Sequence, residues 1–407
     1  MAVKRNARGY VYYNLALPKP LVQTASSEVV RDINRRIILN LIRTRQPISR
    51  ADLARLSGLQ RSTVSLIVEE LIAENWVVEG PTARLPRGRH PTNLRLNEDR
   101  VIIGVVVRPL QTTVVLSDVN GKFLSQQVSR TPSDARAGIK IMLETIQRLV
   151  AASQGKKIEG IGISLPGRVN HATGILEFAP NLGWRDCDLR GPVSAATGIE
   201  VVLENAANAC VLAAVWFDHM ETVRDLVAVT VSEGIGTGIL MNGKLVRGFH
   251  GMAGEFGHVP LDPKGPTCAC GSRGCWEVFA SNRAALRYYS QSGPSKPGLS
   301  FTDLLKLADG GDRRAIEAVD RMARYLGRGM RMIVAGLAPE RIIVVGELTS
   351  AWRRFGPVIE AEMRSQVLGA GAAPQLVPSS EDGQGRMRGT VALVLQKDFG
   401  DPHEFYN

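Results

Sequence analysis

The chain has 407 residues, a length typical of two or three domains. Apolar residues make up 44% and charged residues 22% of the sequence, and this balance excludes a wholly disordered chain. The formal net charge is +11, and the sequence contains neither an apolar run long enough to span a bilayer nor the apolar core of a signal peptide, so we expect a cytoplasmic protein that does not enter membranes.

The positive charge is concentrated at one end of the chain. Residues 1–96 contain 16 Lys and Arg against 7 Asp and Glu, a net charge of +9. Residues 97–407 contain 34 and 32, a net charge of +2. A small basic unit joined to a nearly neutral body is typical of a polyanion-binding module with a separate partner domain. A charged, merely solvated surface is the alternative that charge alone leaves open.

The pattern of apolar residues predicts three helices in this basic unit. In residues 30–42 apolar side chains recur at helical spacing and form one buried stripe, which consists of Val30, Ile33, Ile37, Ile38 and Leu41. A short helix follows within residues 48–58, with Ser49 as its N-cap, Asp52 in a capping-box position, and Gly58 in a tight turn after it. A third helix is predicted over residues 61–75, with a buried stripe of Val64, Ile67, Val68, Leu71 and Ile72. This order of elements is the layout of a helix-turn-helix motif.

Polar side chains occupy the start of the third helix. In a helix-turn-helix motif, the first residues of the last helix meet the edges of DNA bases. Arginine can donate two hydrogen bonds to guanine, glutamine can pair with adenine, and hydroxyl groups bind bases or phosphates. We therefore predict that double-stranded DNA is bound by Gln60, Arg61, Ser62, Thr63 and Ser65.

A wing is predicted after this helix. Residues 76–79 and 93–96 have the pattern of two short strands, and a basic loop rich in glycine and proline joins them at residues 80–91. Arginine is favoured in the negative potential of a narrow minor groove, so Arg87 and Arg89 are predicted to bind DNA there. The alternative is a solvated linker.

The rest of the chain alternates between strands and helices, which is typical of the α/β class. Strand patterns occur at residues 101–107, 112–122, 158–170, 225–248 and 341–347, and helical patterns at residues 135–152 and from residue 389 onward. This body is too long for one compact lobe. We therefore expect two lobes with a cleft between them.

One histidine and three of the five cysteines lie close together in the sequence. His258, Cys268, Cys270 and Cys275 fall within 18 residues, and Gly271 and Gly274 allow the chain to fold tightly between them. Three thiolates and one imidazole form a closed tetrahedral set that suits a structural Zn²⁺. The alternatives are reduced, unconnected cysteines or a disulfide, and a cytoplasmic location disfavours the disulfide.

The motifs around this cluster resemble the ROK family (repressors, open reading frames, kinases). The resemblance is carried by Glu255-Phe256-Gly257-His258 together with the Cys268–Cys275 segment and Glu277. Further segments occur in the family's order, namely SLPGRVN, PNLGW, ENAANA, EGIGTGI and VVGE. The resemblance therefore covers nearly the whole chain. It implies an α/β fold in which a winged helix-turn-helix precedes a two-lobed, actin-like (ribonuclease H-like) body of the sugar-kinase type.

The resemblance also implies domain boundaries. We expect a DNA-binding domain at residues 1–97 and a sugar-sensor body at residues 98–407. Within the body, lobe one comprises about residues 98–205 with a C-terminal helix at about 385–407. Lobe two comprises about residues 206–384.

Kinases of the family carry a glycine-rich phosphate turn and an aspartate that acts as general base, and this sequence departs from both features. In the phosphate turn, Arg108 and Pro109 stand in place of glycines, and these two residues cannot fold closely around phosphates as glycines do. Ala206 stands at the position of the catalytic aspartate and cannot accept a proton, while Glu233 places a negative charge in the second phosphate turn. We therefore predict that the protein is not an enzyme.

The residues that line the family's sugar site are retained more fully in this sequence than the residues of its phosphate turn and its catalytic base. The resemblance assigns sugar binding to Gly167, Asn181, Asn205, Glu255, His258 and Glu277. Carboxylates and amides form paired hydrogen bonds with vicinal hydroxyl groups, and His258 has two ring nitrogens, one for zinc and one for a hydroxyl. Ala206 removes one contact of the family's sugar site.

Together these features predict a transcriptional repressor that responds to a sugar or a sugar derivative. We expect it to bind a double-stranded DNA operator as a homodimer or a larger homo-oligomer, with the sugar in the cleft between the lobes. Two alternatives stay open, namely a sugar kinase with an attached DNA-binding domain and a DNA-binding protein whose body no longer binds a ligand.

Overall fold

The computed structural model of the protein describes residues 27–82, 92–171, 173–218, 220–294, 297–365, 373–379 and 384–400, together with two short strands near the N-terminus. These strands, β1 (Val3–Arg5) and β2 (Val11–Tyr13), pair in antiparallel fashion. Among the described residues no helix is long and apolar enough to cross a membrane.

Three helices and a small antiparallel sheet form the N-terminal unit, which we call the head (residues 27–97). Its helices are α1 (Ser27–Arg45), α2 (Arg50–Ser57) and α3 (Arg61–Ala73). Its strands, in sheet order, are β3 (Ile48–Ser49), β5 (Thr92–Leu96) and β4 (Val77–Thr82). The helix-turn-helix prediction and the two strands after it are confirmed. Ile38, Leu53, Val64, Val68 and Leu94 are fully buried and form the core of the head.

Local sequence determines where α2 begins and ends. The Ser49 hydroxyl oxygen accepts a hydrogen bond from the Asp52 backbone N–H at 3.2 Å, as predicted for an N-cap. The Asp52 carboxylate accepts a hydrogen bond from the Ser49 hydroxyl at 2.7 Å, so it binds the side chain of the cap. Gly58 has a φ of 70° and its N–H donates to the Ala54 carbonyl, which ends the helix in the left-handed conformation that glycine adopts most easily.

The predicted stripe of α1 is wrong at its N-terminal end. Val30 and Ile33 are each 45% exposed, whereas Ile38 and Ile42 are fully buried. The reason is that this end of α1 is tied to α3 by ion pairs rather than by apolar packing. These pairs are Arg31–Glu70 and Arg35–Glu74.

The body has the alternating order of strands and helices that the α/β prediction requires. Its strands are β6 (Arg100–Val107), β7 (Gln111–Asp118), β8 (Phe123–Arg130), β9 (Lys157–Leu165), β10 (Arg168–Asn170), β11 (Ile175–Ala179), β12 (Trp184–Asp188), β13 (Val201–Asn205), β14 (Leu226–Val231), β15 (Ile235–Met241), β16 (Lys244–Leu245), β17 (Arg341–Val345) and β18 (Gln375–Pro378). Its helices are α4 (Ala135–Ala152), α5 (Arg190–Thr197), α6 (Ala206–Phe217), α7 (Trp276–Ala280), α8 (Asn282–Gln291), α9 (Phe301–Asp309), α10 (Arg313–Leu337), α11 (Trp352–Arg364) and α12 (Gly385–Phe399). Short 3₁₀ turns occur at Phe249–Gly251, Glu255–His258 and Glu347–Ala351.

Two five-stranded sheets with related topology form the core of the body. The first sheet has the order β13-β9-β6-β7-β8, in which β13, β9 and β6 run parallel and the remaining pairs are antiparallel. The second sheet has the order β16-β15-β14-β17-β18, in which β14, β17 and β18 run parallel. Strands β10, β11 and β12 form a small third sheet.

Helices α6 and α12 join the two large sheets. Helix α12 packs on β6 and β9 of the first sheet, α6 packs on β14 and β15 of the second, and the two helices pack on each other. The contact is close at Gly389, where an added Cβ atom would lie 2.3 Å from the Ala209 carbonyl oxygen.

The head is docked on the C-terminal ends of these same two helices. The Asn40 side chain of α1 donates a hydrogen bond to the Phe399 carbonyl at 2.7 Å, and Arg43 donates to the Trp216 carbonyl at 2.6 Å. The Trp76 and Phe399 rings meet edge to face with centroids 5.4 Å apart. Asn40 is 1% exposed, so this interface is closed to solvent at its centre.

Candidate functional site

Helix α3 presents part of the predicted DNA-binding set to solvent. Gln60, Arg61 and Ser62 are exposed at its N-terminal end, whereas Thr63 and Ser65 are half-buried. Arg87 and Arg89, predicted for the wing, lie outside the described residues. Sequence reasoning missed Leu66, which is 55% exposed on the same helix. The signal that could have found it is its spacing of four residues from Ser62, which places both side chains on one face.

The structure brings all six predicted sugar-binding residues together in one cavity of about 350 Å³. The cavity lies between the first and second sheets, because its walls come from the ends of β6, β9 and β13 on one side and from the β14–β15 turn on the other. The residues are Gly167, Asn181, Asn205, Glu255, His258 and Glu277. A bound ligand would therefore contact both sheets.

Asn205 and Gly167 are held together at the end of the first sheet. The Asn205 amide donates a hydrogen bond to the Gly167 carbonyl at 2.8 Å, and its side-chain oxygen accepts one from the Ala207 N–H at 2.8 Å. Asn205 thus caps the N-terminus of α6. Gly167 has a φ of 95°, and an added Cβ atom would lie 2.3 Å from the Phe178 carbonyl oxygen, so this turn requires glycine.

Glu277 is a buried carboxylate on the opposite side of the cavity. It is 5% exposed, and one of its carboxylate oxygens accepts hydrogen bonds from the Asn181 amide at 3.4 Å and from the Ile235 N–H at 3.3 Å. Its other oxygen accepts one from the Cys268 thiol at 3.0 Å. Glu277 therefore connects the cavity to the cysteine cluster.

Glu255 lies on a 3₁₀ turn beside His258. Its carboxylate lies 3.7 Å from His258 Nε2. Burial raises the pKa of Glu255, and the Glu277 carboxylate raises it further, against the opposing effects of His258 and Arg168. A hydroxyl group that donates a hydrogen bond to Glu255 would stabilise its charged form.

Ion pairs connect the two sheets beside the cavity, and Arg108 of these pairs also lines it. Arg108, just after β6 of the first sheet, lies 2.7 Å from a carboxylate oxygen of Glu347 and 3.3 Å from one of Glu233, both at strand ends of the second sheet. Asn282 donates a further hydrogen bond to Glu347 at 2.9 Å. Burial disfavours the charge of Glu347, but the guanidinium groups of Arg108 and Arg386 hold its pKa below its usual range.

Ala206 is the first residue of α6 and lines the cavity with a methyl group. A methyl group can neither accept a proton nor bind a cation. Together with the charged side chain of Arg108 and the ring of Pro109 in the turn after β6, it gives this end of the cavity a chemistry unlike that of a glycine-rich phosphate turn.

His258, Cys268, Cys270 and Cys275 form a cluster that could hold a metal ion, since their ligand atoms all lie within 4.8 Å of one another. The Cys270 and Cys275 sulfurs are 3.7 Å apart, and Cys268 Sγ is 3.6 Å from His258 Nδ1. In a tetrahedral site with Zn–S bonds of about 2.3 Å, two sulfurs lie about 3.8 Å apart, so the cluster has suitable dimensions. His258 directs Nδ1 toward the thiols and Nε2 toward Glu255.

The three thiols differ in their protonation. Burial raises the pKa of Cys268, and it raises the pKa of Cys275 to about 11, whereas the pKa of Cys270 is lowered because hydrogen bonds with Ser272 and Cys268 outweigh the effect of burial. A divalent cation bound here would stabilise the thiolate forms. The loop folds tightly at Gly274, where an added Cβ atom would lie 1.5 Å from the Asp262 carbonyl oxygen.

Comparison with known proteins gives two family matches. Residues 103–397 match the ROK family, and residues 31–78 match a winged helix-turn-helix DNA-binding family. The xylose repressor of Bacillus subtilis (strain 168) is 31% identical over 380 residues, which cover 91% of this chain and 97% of that protein.

Solved structures show the same relationship. A ROK family transcriptional regulator, a homologue of the E. coli MLC protein, superimposes with a TM-score of 0.75 and 27% identity, covering 91% of this chain and 98% of that one. A ROK family glucokinase from Streptomyces griseus, in complex with glucose and AMPPNP, has a TM-score of 0.67 and 29% identity and covers 73% of this chain and 99% of its own.

Proposed function

Because this chain belongs to the ROK family, we propose that it is a cytoplasmic, sugar-responsive DNA-binding repressor of carbohydrate-metabolism genes. The observation that carries the proposal is the combination of a winged helix-turn-helix head with a body whose cavity keeps its sugar-facing polar groups. Residues 1–97 then form the DNA-binding domain and residues 98–407 the sensor. We divide the sensor into lobe one at about 98–205 with 385–407 and lobe two at about 206–384.

DNA is read by the N-terminal end of α3 in the major groove. Arg61 and Gln60 contact base edges, Ser62, Thr63 and Ser65 bind bases or phosphates, and the wing arginines Arg87 and Arg89 enter a minor groove. Two heads of a homodimer bind half-sites about 34 Å apart or a multiple of that distance. The exposed positions of Gln60, Arg61 and Ser62 support this assignment.

The sugar is held by hydrogen bonds from both walls of the cavity. Hydroxyl groups are bound on one wall by Asn205, at the N-terminus of α6, and on the other wall by Glu255, His258 and Glu277. Asn181 donates a hydrogen bond to Glu277. Each buried polar group that a wrong ligand fails to pair lowers the affinity by about 1–3 kcal/mol, so the site discriminates between sugars.

The protein is not a kinase in this proposal. The ion pairs of Arg108 with Glu233 and Glu347 occupy the end of the cavity that would face nucleotide phosphates, and Ala206 offers no base. The alternative of a sugar kinase is tested by incubating the protein with ATP and each sugar and measuring phosphorylated product, with the Ala206→Asp variant assayed in parallel. Turnover by the unchanged protein would contradict this part of the proposal.

His258, Cys268, Cys270 and Cys275 hold a structural Zn²⁺ in this proposal. A bound Zn²⁺ would supply the charge that the thiolates need and fix the loop from which His258 faces the cavity. We expect metal analysis of the purified protein to find about one ion per chain. Cys270→Ser should lower the zinc content, and an unchanged content would exclude Cys270 from the ligand set.

Helices α6 and α12 transmit the effect of the sugar to the head. Helix α6 begins at the cavity with its cap Asn205 and ends about 18 Å away, where the Trp216 carbonyl binds Arg43 of the head. Helix α12 has Arg386, which also lines the cavity, in its first turn and ends at Phe399 against Asn40. A ligand that binds the two states of the cavity differently would shift both helices and thereby the heads.

The direct test combines a DNA-binding assay with a sugar panel. We expect the purified protein to bind DNA from its own promoter region, with an affinity that falls as salt is raised. A sugar that binds should raise the melting temperature by mass action and change operator affinity. A protein that binds its operator but responds to no sugar would support the alternative of a body that has lost its ligand.

A further inference from the structure

Leu66 is a large aliphatic residue of α3 that is left exposed to solvent. It is 55% exposed, whereas Val64, Ile67, Val68 and Leu71 are at most 3% exposed. Burial of a leucine side chain is favourable, and the helix forgoes this gain in the free protein. The packing of the head therefore does not explain why an aliphatic residue stands at this position.

The neighbours of Leu66 define the surface on which it lies. Helical geometry places it on the same face as Ser62, one turn earlier, and Glu69, one turn later, and both are exposed. Ser62, the first residue of this face, comes directly after Arg61 at the start of the helix. In the sequence, residues 1–96, to which α3 belongs, have a net charge of +9. Charge complementarity identifies the partner of this face as DNA.

Glu69 indicates which part of the DNA lies opposite. A carboxylate is repelled by phosphates, so a helix face that carries Glu69 is unfavourable against the sugar-phosphate backbone and is better placed over base edges. In the major groove, the apolar group that the base pairs present is the 5-methyl group of thymine. An exposed aliphatic side chain on a base-facing helix surface has this methyl group as its complementary partner.

We propose that Leu66 reads a thymine through its 5-methyl group and so determines one position of the operator. This inference rests on the proposed function, because it requires that α3 enters the major groove. It adds an apolar contact to the polar set at the start of the helix. Leu66 is therefore a specificity-determining residue.

The experiment removes the methyl group from the DNA rather than from the protein. An operator is first selected from random duplexes with the wild-type protein, and each thymine is then replaced by deoxyuridine, which lacks only the 5-methyl group. We expect one thymine position in each half-site to be sensitive to this replacement. Each single loss of the 5-methyl group at that position should weaken binding about fourfold, the factor for one buried methyl-sized group. Leu66→Ala should bind the thymine and uracil operators equally at that position.

Leu56→Ala is the matched control. Leu56 is also an exposed leucine of the head, 48% exposed on α2, and its variant should keep the full uracil effect. Because Leu66 is exposed, Leu66→Ala should melt at the wild-type temperature, and a thermal scan checks this. Wild-type binding that tolerates uracil at every position, or a uracil effect that persists in Leu66→Ala, would overturn the proposal. Absence of any sequence-selective binding would overturn the proposed function itself.

Discussion

Arg108 determines what the far end of the cavity can hold. Its guanidinium group binds Glu347 at 2.7 Å and Glu233 at 3.3 Å, and these partners lie 239 and 125 positions further along the chain. Glu347 and Glu233 raise the pKa of Arg108 against the opposing effect of burial, so it stays charged. The arginine could be noticed in the sequence because it interrupts a glycine turn, but its partners could not, since only the fold brings the three residues together.

The ion pair with Glu347 should make stability depend on pH in a defined direction. The folded-state pKa of Glu347 is lowered, so its contribution is present above the ordinary glutamate pKa of about 4.3 and is lost as the pH falls through the lower folded-state value. We expect Glu347→Gln to reduce the free energy of unfolding by roughly 1–3 kcal/mol at pH 7. The difference from wild type should shrink below about pH 4.

Urea unfolding of both proteins at a series of pH values measures this difference. Glu360→Gln is a suitable control, because Glu360 pairs with Arg364 on the surface of α11 and should contribute less than about 1 kcal/mol. A Glu347→Gln difference that stays constant down to pH 3 would contradict the assigned role of the ion pair.

The cavity residues could be named because they stand in motifs that resemble those of the ROK family. The structure places two of them at the edge of the first sheet, where Asn205 ends β13 and Gly167 lies in the turn after β9. Leu66 was missed for the opposite reason. Apolar periodicity predicts which residues are buried, and it assigns no role to a leucine that lies off the buried stripe of its helix.

At the scale of elements, helices were predicted well where caps and buried stripes agree. Helix α2 begins after Ser49 and ends at Gly58, as its capping residues require. Helix α1 shows the limit, because Val30 and Ile33 have helical spacing but are each 45% exposed, so the described part of the chain does not bury them. Periodicity reports which face is apolar, whereas burial depends on which element lies opposite, and that is decided by the tertiary fold.

The contact between α6 and α12 should be sensitive to a single added methyl group. Gly389→Ala would place a Cβ atom 2.3 Å from the Ala209 carbonyl oxygen, so the two helices must separate. Overpacking of this kind costs typically 1–3 kcal/mol, and we expect the free energy of unfolding to fall by that amount.

Gly385→Ala on the same helix is the matched control. Among the residues that the structure describes, no atom beyond the chain neighbours and the helix's own backbone lies within 4 Å of a Cβ added at Gly385, so alanine there should leave stability unchanged or raise it by up to about 1 kcal/mol. Chemical denaturation of both variants compares the two effects. Equal stability of the two variants would show that the α6–α12 contact is looser than the structure indicates.

At the scale of the whole molecule, the head and the sensor share one hydrophobic cluster, and hydrogen bonds from α1 add to this contact. Asn40 donates to the Phe399 carbonyl, and Arg43 donates to the Trp216 carbonyl. The sequence indicated both units and their order, because the net charge and the pattern of predicted helices and strands change near residue 97. It did not indicate their docking, since the contacts of α1 fall on residues 173 and 359 positions away.

Asn40→Ala should separate sugar binding from the DNA response. The variant loses a buried hydrogen bond between α1 and α12, while the cavity is untouched. We expect a sugar that stabilises the wild-type protein to raise the melting temperature of Asn40→Ala equally. Its effect on operator affinity should be several-fold smaller, because coupling of about 1–3 kcal/mol is carried through this contact. Asp32→Asn, an exposed change on the same helix, should respond like wild type. A full operator response in Asn40→Ala would exclude this route.

The contact between Asn40 and Phe399 also concerns how the protein is made. The two residues are 359 positions apart, and ribosomes add about 5–20 residues per second, so the newly made head waits roughly 20–70 s before its docking partner exists. During that time Trp76 and the inner face of α1 lack the ring and carbonyl that later cover them. If the head folds in this interval, its three-helix core does so without the surface on which it is later docked. A nascent chain already has a DNA-reading helix before it has the means to control it.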